Sequence, residues 1–226
     1  MPTTAELIKE IDGYLLSSSP PHSYTSTSAA YDVYEGYVWT IVLSAAEYNG
    51  ATVLFEDTNN NAASSIILRT NPGSIYSNVR NYTHAVLRFP GSTPELEAHL
   101  GIYVSGKSGI PHECDIAVID RDEAIACRQA EVHPRARKLL MSVECKLFSS
   151  NLGVSVGRGF LGLTRDIISE NRFFVSNSTS ERVKKLIAYH KASWECPVVP
   201  SATDKVQNLR SQFSTCFRDY VAKGRI

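Results

Sequence analysis

Residues 139–146 form an apolar run that ends with an acid and an amine two positions apart, Glu144 and Lys146. Side chains alternate along a β-strand, so these two share one face of a strand and Cys145 points to the other. A second apolar strand, residues 116–119, is preceded by Asp115. Buried charge is costly unless it is paired or binds a metal. The pattern therefore predicts a sheet with two carboxylates and a lysine at one edge, and a divalent-metal site there.

The rest of the chain alternates between helical and strand-like periodicity. Helices are predicted at residues 5–16, 29–48, 157–170, 181–191 and 203–221, and strands at residues 52–55, 65–69, 84–89, 97–104, 116–119, 139–146, 172–175 and 197–200. This order indicates an α/β fold with α+β elaborations, in which helices flank a central mixed β-sheet. A chain of 226 residues suits a single domain, 1–226, with an extra strand-rich insertion at about 51–90.

Composition and charge limit the classes of protein to which this chain can belong. No apolar run approaches the roughly 20 residues of a membrane helix, and the N-terminus does not resemble a signal peptide, so we expect no membrane partner and a cytoplasmic location. The five cysteines include no C-x-x-C pair, which favours reduced thiols. Residues 1–125 hold 6 basic and 15 acidic residues, and residues 126–226 hold 17 and 8. Such a division fits an acidic metal centre facing a basic phosphate-binding surface, or two halves that pair with each other.

Three short motifs match known patterns without the expected context. Residues 101–108 fit the P-loop expression G-x-x-x-x-G-K-[ST], but strand formers occupy its loop and a strand follows, which favours a hairpin turn. Residues 157–162 fit G-x-G-x-x-G, but no acid ends a second strand about 20 residues later. Glycines that let a helix approach the sheet, with Arg158 available for phosphate, explain it more simply. Residues 112–115 hold four potential metal ligands, but strand alternation sends them to opposite faces.

An acid that opens one strand, followed by acid-x-lysine on the next within an α-β-β-β-α-β order, resembles the PD-(D/E)XK nuclease superfamily. The resemblance covers roughly residues 29–200, although Pro111 lies four residues before Asp115 instead of beside it. It implies a restriction-endonuclease-like core that binds Mg²⁺, with Mn²⁺ as a substitute. Asp115, Glu144 and the main-chain carbonyl of Cys145 would hold the metal, and Lys146 would orient or deprotonate the attacking water. The additional metal or water ligand is left open between Glu35, Glu97 and Glu113.

By that resemblance the chain is expected to be a Mg²⁺-dependent endonuclease that hydrolyses phosphodiester bonds in DNA, in restriction, defence or repair. Candidate nucleic-acid contacts lie in the basic half, at Arg158, Arg165, Arg182 and Lys184, with Lys185 and Lys191 beside them. Cleavage of both strands of a duplex would favour a homodimer. Two other functions stay open: a catalytically inactive nucleic-acid-binding or assembly module of the same fold, and a P-loop nucleotide hydrolase. An internal salt bridge of Lys146 with the acids is the alternative to a catalytic site.

Overall fold

The computed structural model describes residues 1–15, 20–77, 79, 81–91, 94–169 and 171–224. Within those residues, seven strands form one sheet: β1 Thr52–Glu56, β2 His84–Arg88, β3 Leu96–Ser105, β4 Pro111–Asp120, β5 Leu139–Lys146, β6 Asn171–Ser176 and β7 Ser193–Glu195. The helices are α1 Thr4–Leu15, α2 Ala30–Tyr48, α3 Arg121–Ala130, α4 Val154–Asp166, α5 Glu181–Tyr189 and α6 Thr203–Lys223, with a short 3₁₀ helix at Ala136–Lys138.

The order of the strands in the sheet is their order along the chain. Each neighbouring pair of strands from β1 to β5 is antiparallel. The pairs β5–β6 and β6–β7 are parallel. Parallel neighbours need crossover connections, and α4 and α5 lie between them in the chain. The prediction of an α/β fold with a mixed sheet flanked by helices is therefore confirmed. No helix in the described part of the chain is both long and apolar enough to cross a membrane.

Helices cover both faces of the sheet. The larger core lies between the sheet and helices α1, α2 and α6, and α2 is buried on nearly every side. Two buried side chains of α2 fix the helix to the rest of the domain, because Trp39 Nε1 donates to the carbonyl of Ala98 and Tyr34 donates to the carbonyl of Val198. A second core lies under α3 on the opposite face. A third joins Phe160 of α4, Phe174 of β6 and the buried face of α5.

Two predicted strands differ from the structure, and one helix was not predicted. Residues 65–69 form no strand, since Ile66 makes only an isolated bridge to His22. The last strand is β7, not residues 197–200, where Val198 instead donates its N–H to the carbonyl of Ser176. Helix α3 was not predicted, although Asp120 caps it by accepting the N–H of Glu123, a pattern that the sequence contains.

The insertion at about 51–90 contains β1 and β2, which pair with each other and extend the sheet beyond β3. The described part of the segment between them, residues 57–77, 79 and 81–83, contains no strand of the sheet. The insertion thus adds one hairpin, and its long connection makes isolated bridges from Ala62 to Glu56 of β1 and from Gly73 to Ile102 of β3.

Neither glycine motif has the geometry of a nucleotide-binding loop. Gly101 lies inside β3, and β4 follows the turn at Lys107 and Ser108 directly. Ser108 donates its N–H (2.6 Å) and its hydroxyl (2.5 Å) to Asp166, so a carboxylate occupies the place that phosphate would take. This geometry excludes the P-loop interpretation and confirms a hairpin turn.

The G-x-G-x-x-G match lies within helix α4, not at a strand-to-helix turn. A Cβ atom at Gly157 would come within 3.1 Å of Val183, so this glycine brings α4 close to α5, a helix and not the sheet. The structure therefore offers no dinucleotide-binding turn at this motif.

Candidate active site

Strands β4 and β5 separate just where their charged residues begin. The last residue pair of the ladder on this side is Ile116 with Val143. One step further along β4, the acceptor is a side chain and not a backbone carbonyl: Asp115 Oδ2 accepts the N–H of Cys145 at 2.7 Å. Asp115 is 4% exposed and so has few other ways to be solvated. Local strand geometry thus fixes this carboxylate in one position.

Lys146 brings the predicted groups together. Its Nζ lies 2.7 Å from Glu144 Oε1 and 3.3 Å from Asp115 Oδ2, and it donates a hydrogen bond of 3.0 Å to the carbonyl of Cys145. Asp115 and Glu144 lie 29 residues apart in the chain, yet the one ammonium of Lys146 contacts both. We call Asp115, Glu144 and Lys146 the acidic site. The three oxygens that Lys146 contacts belong to the groups predicted to hold a metal.

Burial and charge set the protonation of the acidic site. Burial opposes a charge on Lys146, but Asp115 and Glu144 outweigh it and raise the pKa of the lysine, so the side chain stays an ammonium. Burial, then the charge of Asp115, raises the pKa of Glu144 to about 7. As an ammonium, Lys146 can orient a water molecule and stabilise negative charge.

Two further acids act on the acidic site. Glu35, half-buried on α2, has its pKa raised to about 9 by burial and then by the charge of Asp115. Glu113, two residues before Asp115 on β4, has its pKa raised by burial and by the same charge. Four carboxyl groups therefore share a region in which Lys146 is the cation that contacts Asp115 and Glu144. Carboxyl groups are in excess there.

Glu97 was predicted as a candidate ligand for the same metal, but the structure places its side chain away from the acidic site. It pairs with Ile119 on β4, four residues from Asp115, and its side chain is directed to the core under α3 and away from α2. Arg128 holds both of its carboxylate oxygens at 2.7 Å. Glu97 thus belongs to a separate polar group, together with His84 and His99.

The predicted nucleic-acid contacts are exposed and lie on α4 and α5: Arg158, Arg165, Arg182 and Lys184. Arg165 and Lys191 also line a cavity of about 340 Å³ with Arg172, a residue that the sequence did not single out. Arg172 lines a smaller cavity too, which reaches Glu144. The basic cavity is therefore a neighbour of the acidic site. Lys184 makes only an exposed contact of 4.0 Å with Glu181.

Comparison with protein-family models, with curated proteins and with solved structures finds no match for this chain. The chemistry of its residues and their placement are therefore the grounds for assigning a function.

Proposed function

We propose that this chain is a metal-dependent nuclease that hydrolyses phosphodiester bonds in DNA, in a restriction, defence or repair setting. The observation that carries the proposal is the position of Lys146 Nζ, 2.7 Å from Glu144 and 3.3 Å from Asp115. With β1, β2 and α3 taken as additions, the order α2, β3, β4, β5, α4, β6 supports the resemblance to the PD-(D/E)XK superfamily, since an acid lies within the middle of the three strands and acid-x-lysine ends the next.

The residues present fit a divalent cation. Asp115, Glu144 and the carbonyl of Cys145 are oxygen donors, which Mg²⁺ and Mn²⁺ prefer. Burial, and then the charge of Asp115, raises the pKa values of Glu35 and Glu144, and a bound cation would oppose both effects. When bound, a metal of this kind neutralises charge on the phosphoryl oxygens and lowers the pKa of a bound water.

The chain's own residues have separable tasks in this proposal. The N–H of Cys145 holds Asp115 in place, so that its second oxygen stays directed for a ligand. Lys146, kept protonated, orients the attacking water and stabilises the negative charge that develops on phosphate. The basic cavity lined by Arg165, Arg172 and Lys191 binds the neighbouring backbone phosphates. Cleavage of both strands would favour a two-fold dimer of the chain.

The test is a cleavage assay with Mg²⁺ or Mn²⁺ on double-stranded, single-stranded and methylated DNA and on RNA. We expect Lys146→Ala to reduce the rate by about 100-fold or more, because it removes a charge that faces the reacting phosphate. Lys138→Ala is the matched control: Lys138 also contacts an aspartate, Asp120 at 3.9 Å, next to the opposite end of β5. Equal cleavage by Lys146→Ala and the wild type would contradict the proposal.

A catalytically inactive binding or assembly module is the second candidate. The observation that favours it is that Lys146 already pairs with both carboxylates, as a purely structural ion pair would. This function predicts that DNA is retained in a gel-shift assay and that no product forms at any concentration of Mg²⁺ or Mn²⁺. Products that disappear with a chelator and return with the metal would exclude it.

A further inference from the structure

A second group of titratable side chains lies on β2 and β3, away from the acidic site. His84, Glu97 and His99, which we call the histidine cluster, are each 0% exposed. Glu97 and His99 are two residues apart on β3 and share one face, and β2 is the neighbouring strand. This face packs under α3. The histidine cluster is thus enclosed by the fold.

Three ligand atoms of the histidine cluster converge. His99 Nε2 lies 2.9 Å and His84 Nε2 lies 3.5 Å from Glu97 Oε2, and one atom of each side chain lies within 4.8 Å of the others. The two imidazole rings are stacked, with centroids 4.8 Å apart and an interplanar angle of 19°. Two imidazole nitrogens and one carboxylate oxygen are a ligand set of zinc sites.

His84 has no hydrogen-bond partner for either ring nitrogen among the described residues. A buried polar atom without a partner is costly, and each such case calls for an explanation. One of the two nitrogens, Nε2, is directed towards Glu97. Coordination of a metal by Nε2 would satisfy the lone pair that this enclosed histidine otherwise leaves unused.

The surroundings supply the outer contacts that metal-binding side chains usually have. The hydroxyl of Tyr82 lies 3.2 Å from His99 Nδ1, the nitrogen that does not face Glu97. Arg128 binds both oxygens of Glu97 and fixes the plane of its carboxylate. Glu56 Oε2 lies 3.9 Å from His84 Nε2, but it is already paired with Arg121, whose Nη2 donates to it at 2.8 Å.

We propose that His84, Glu97 and His99 bind a zinc ion that is separate from the proposed Mg²⁺ of the acidic site. Imidazole nitrogen favours zinc and other first-row transition metals, whereas the all-oxygen acidic site favours Mg²⁺. The zinc ion stabilises the packing of β2 and β3 against α3. The proposal does not depend on nuclease activity.

Zinc binding requires His99 to change its tautomer. Glu97 is held ionised, because hydrogen bonding by Arg128 outweighs the effect of burial and keeps the pKa of Glu97 well below its usual value. In the metal-free protein Nε2 therefore carries the proton donated to Glu97, and Nδ1 accepts from Tyr82. When zinc binds, Nε2 releases its proton and Nδ1 takes one up, so the ring remains neutral. The Nδ1–H then donates a hydrogen bond to the hydroxyl oxygen of Tyr82.

Arg128 controls access to the histidine cluster. It lines a cavity of about 230 Å³, and its Nη2 donates both to Asn60, which lines the same cavity, and to Glu97. A metal entering from this side has to pass the guanidinium, which also repels it. Arg128→Met removes both this barrier and an outer contact of Glu97, so it should speed zinc uptake while it weakens the metal-free fold.

The experiment starts from full-length protein that has been stripped with a chelator and dialysed. Zinc is titrated in the presence of excess Mg²⁺, and bound metal is measured by elemental analysis and by the melting temperature. We expect one zinc per chain and a rise in melting temperature, since a ligand that binds only the native state stabilises it. His84→Gln and His99→Gln should lower the affinity by more than the 10–100-fold that the loss of an outer contact costs.

The matched control is His133→Gln, because His133 also contacts aromatic rings, Tyr76 and Tyr103, but lies outside the cluster. It should bind zinc as the wild type does, and so should Asp115→Asn. If the cluster variants fail to fold, wild-type protein decides: Co²⁺ should give a visible spectrum typical of tetrahedral nitrogen and oxygen ligation, and diamagnetic Zn²⁺ should remove the Nε2 proton signal of His99 in NMR. Absence of zinc binding, or zinc binding unchanged in both cluster variants, overturns the proposal.

Discussion

The acidic site and the histidine cluster are both built on the central strands, and they handle buried charge in opposite ways. Around the acidic site, carboxyl groups outnumber Lys146, and Glu144 and the neighbouring Glu35 have raised pKa values. In the histidine cluster, Arg128 neutralises Glu97 and lowers its pKa. The first region keeps a surplus of carboxyl groups, whereas the second pairs its buried carboxylate with an arginine.

The difference matters because a surplus of carboxyl groups favours the binding of a cation only where the cation has access to them. Glu144 and Lys146 are 20% and 31% exposed, so a phosphate and a hydrated cation have access to them. The side chains of the histidine cluster are buried, and burial lowers the pKa of His99 to about 3, so that this imidazole is a neutral ligand. The exposure of the first region suits the exchange with solvent that the proposed cleavage needs, and the burial of the second suits a metal that stays bound.

The largest expected effect is on folding, in Glu97→Gln. The substitution leaves Arg128 with no charged partner in a buried place, and breaking such a pair costs about 3–5 kcal/mol of unfolding free energy. Chemical denaturation of the metal-free protein measures it. Adding Arg128→Met to Glu97→Gln should recover part of the loss, since the unpaired charge is then gone. Altered cleavage per folded molecule would contradict the separation of the two regions.

Asp115→Asn should act on chemistry and not on folding. The amide oxygen still accepts the N–H of Cys145, so we expect a small change in unfolding free energy. Loss of one carboxylate should slow metal-dependent cleavage by about 100-fold, equivalent to about 2.7 kcal/mol. Asp115→Ala, which also loses the hydrogen bond, should in addition reduce stability. Two variants of equal stability would show that this hydrogen bond contributes little.

Lys146→Met separates metal binding from catalysis. The ammonium occupies contact positions on three oxygens, and a divalent cation must compete with it for them. We expect roughly tenfold tighter Mn²⁺ binding, or about 1.4 kcal/mol, by calorimetry, together with lost cleavage. Unchanged affinity would mean that Lys146 and the metal do not share these oxygens, and weaker binding would contradict the proposed ligand set.

The smallest effect is expected at Asp166, whose partner His112 is only partly buried, unlike the histidines of the cluster. Hydrogen bonds from Ser108 and then from His112 lower the pKa of Asp166 to about 2. Its contribution to stability is therefore complete above the ordinary value of 3.8 and is lost as the pH falls towards 2. Asp166→Asn should weaken the hydrogen-exchange protection of the Ser108 amide at neutral pH, and this difference should shrink in acid.

The acidic site was predictable because its information is local. Alternation along two strands places Glu144 and Lys146 together, and the apolar residues around them mark the charges as unusual. The pairing of β4 with β5 then needs only the general order of the elements. The hydrogen bond from Cys145 to Asp115 was not predictable, since it depends on where the ladder stops.

The histidine cluster was not predictable, because its partners come from three elements with no common spacing. Glu97 was singled out at the correct strand but assigned to the wrong neighbours, since the sequence does not show which face of β3 meets α3. Helix α3, which carries Arg128, was itself missed. Arg172 was missed for a similar reason: a basic residue in a strand gives no sign that it reaches a cavity near Glu144.

The carboxylate of Asp115 completes the main-chain hydrogen bonding of β5, and this has a consequence for comparisons among future homologues. A lineage that lost cleavage would still need an acceptor at that position to satisfy the amide of Cys145. Selection for folding alone would preserve the aspartate or an asparagine. Retention of the residue at position 115 is thus a poor guide to activity in descendants of this chain, whereas joint retention of Glu144 and Lys146 is the informative signature.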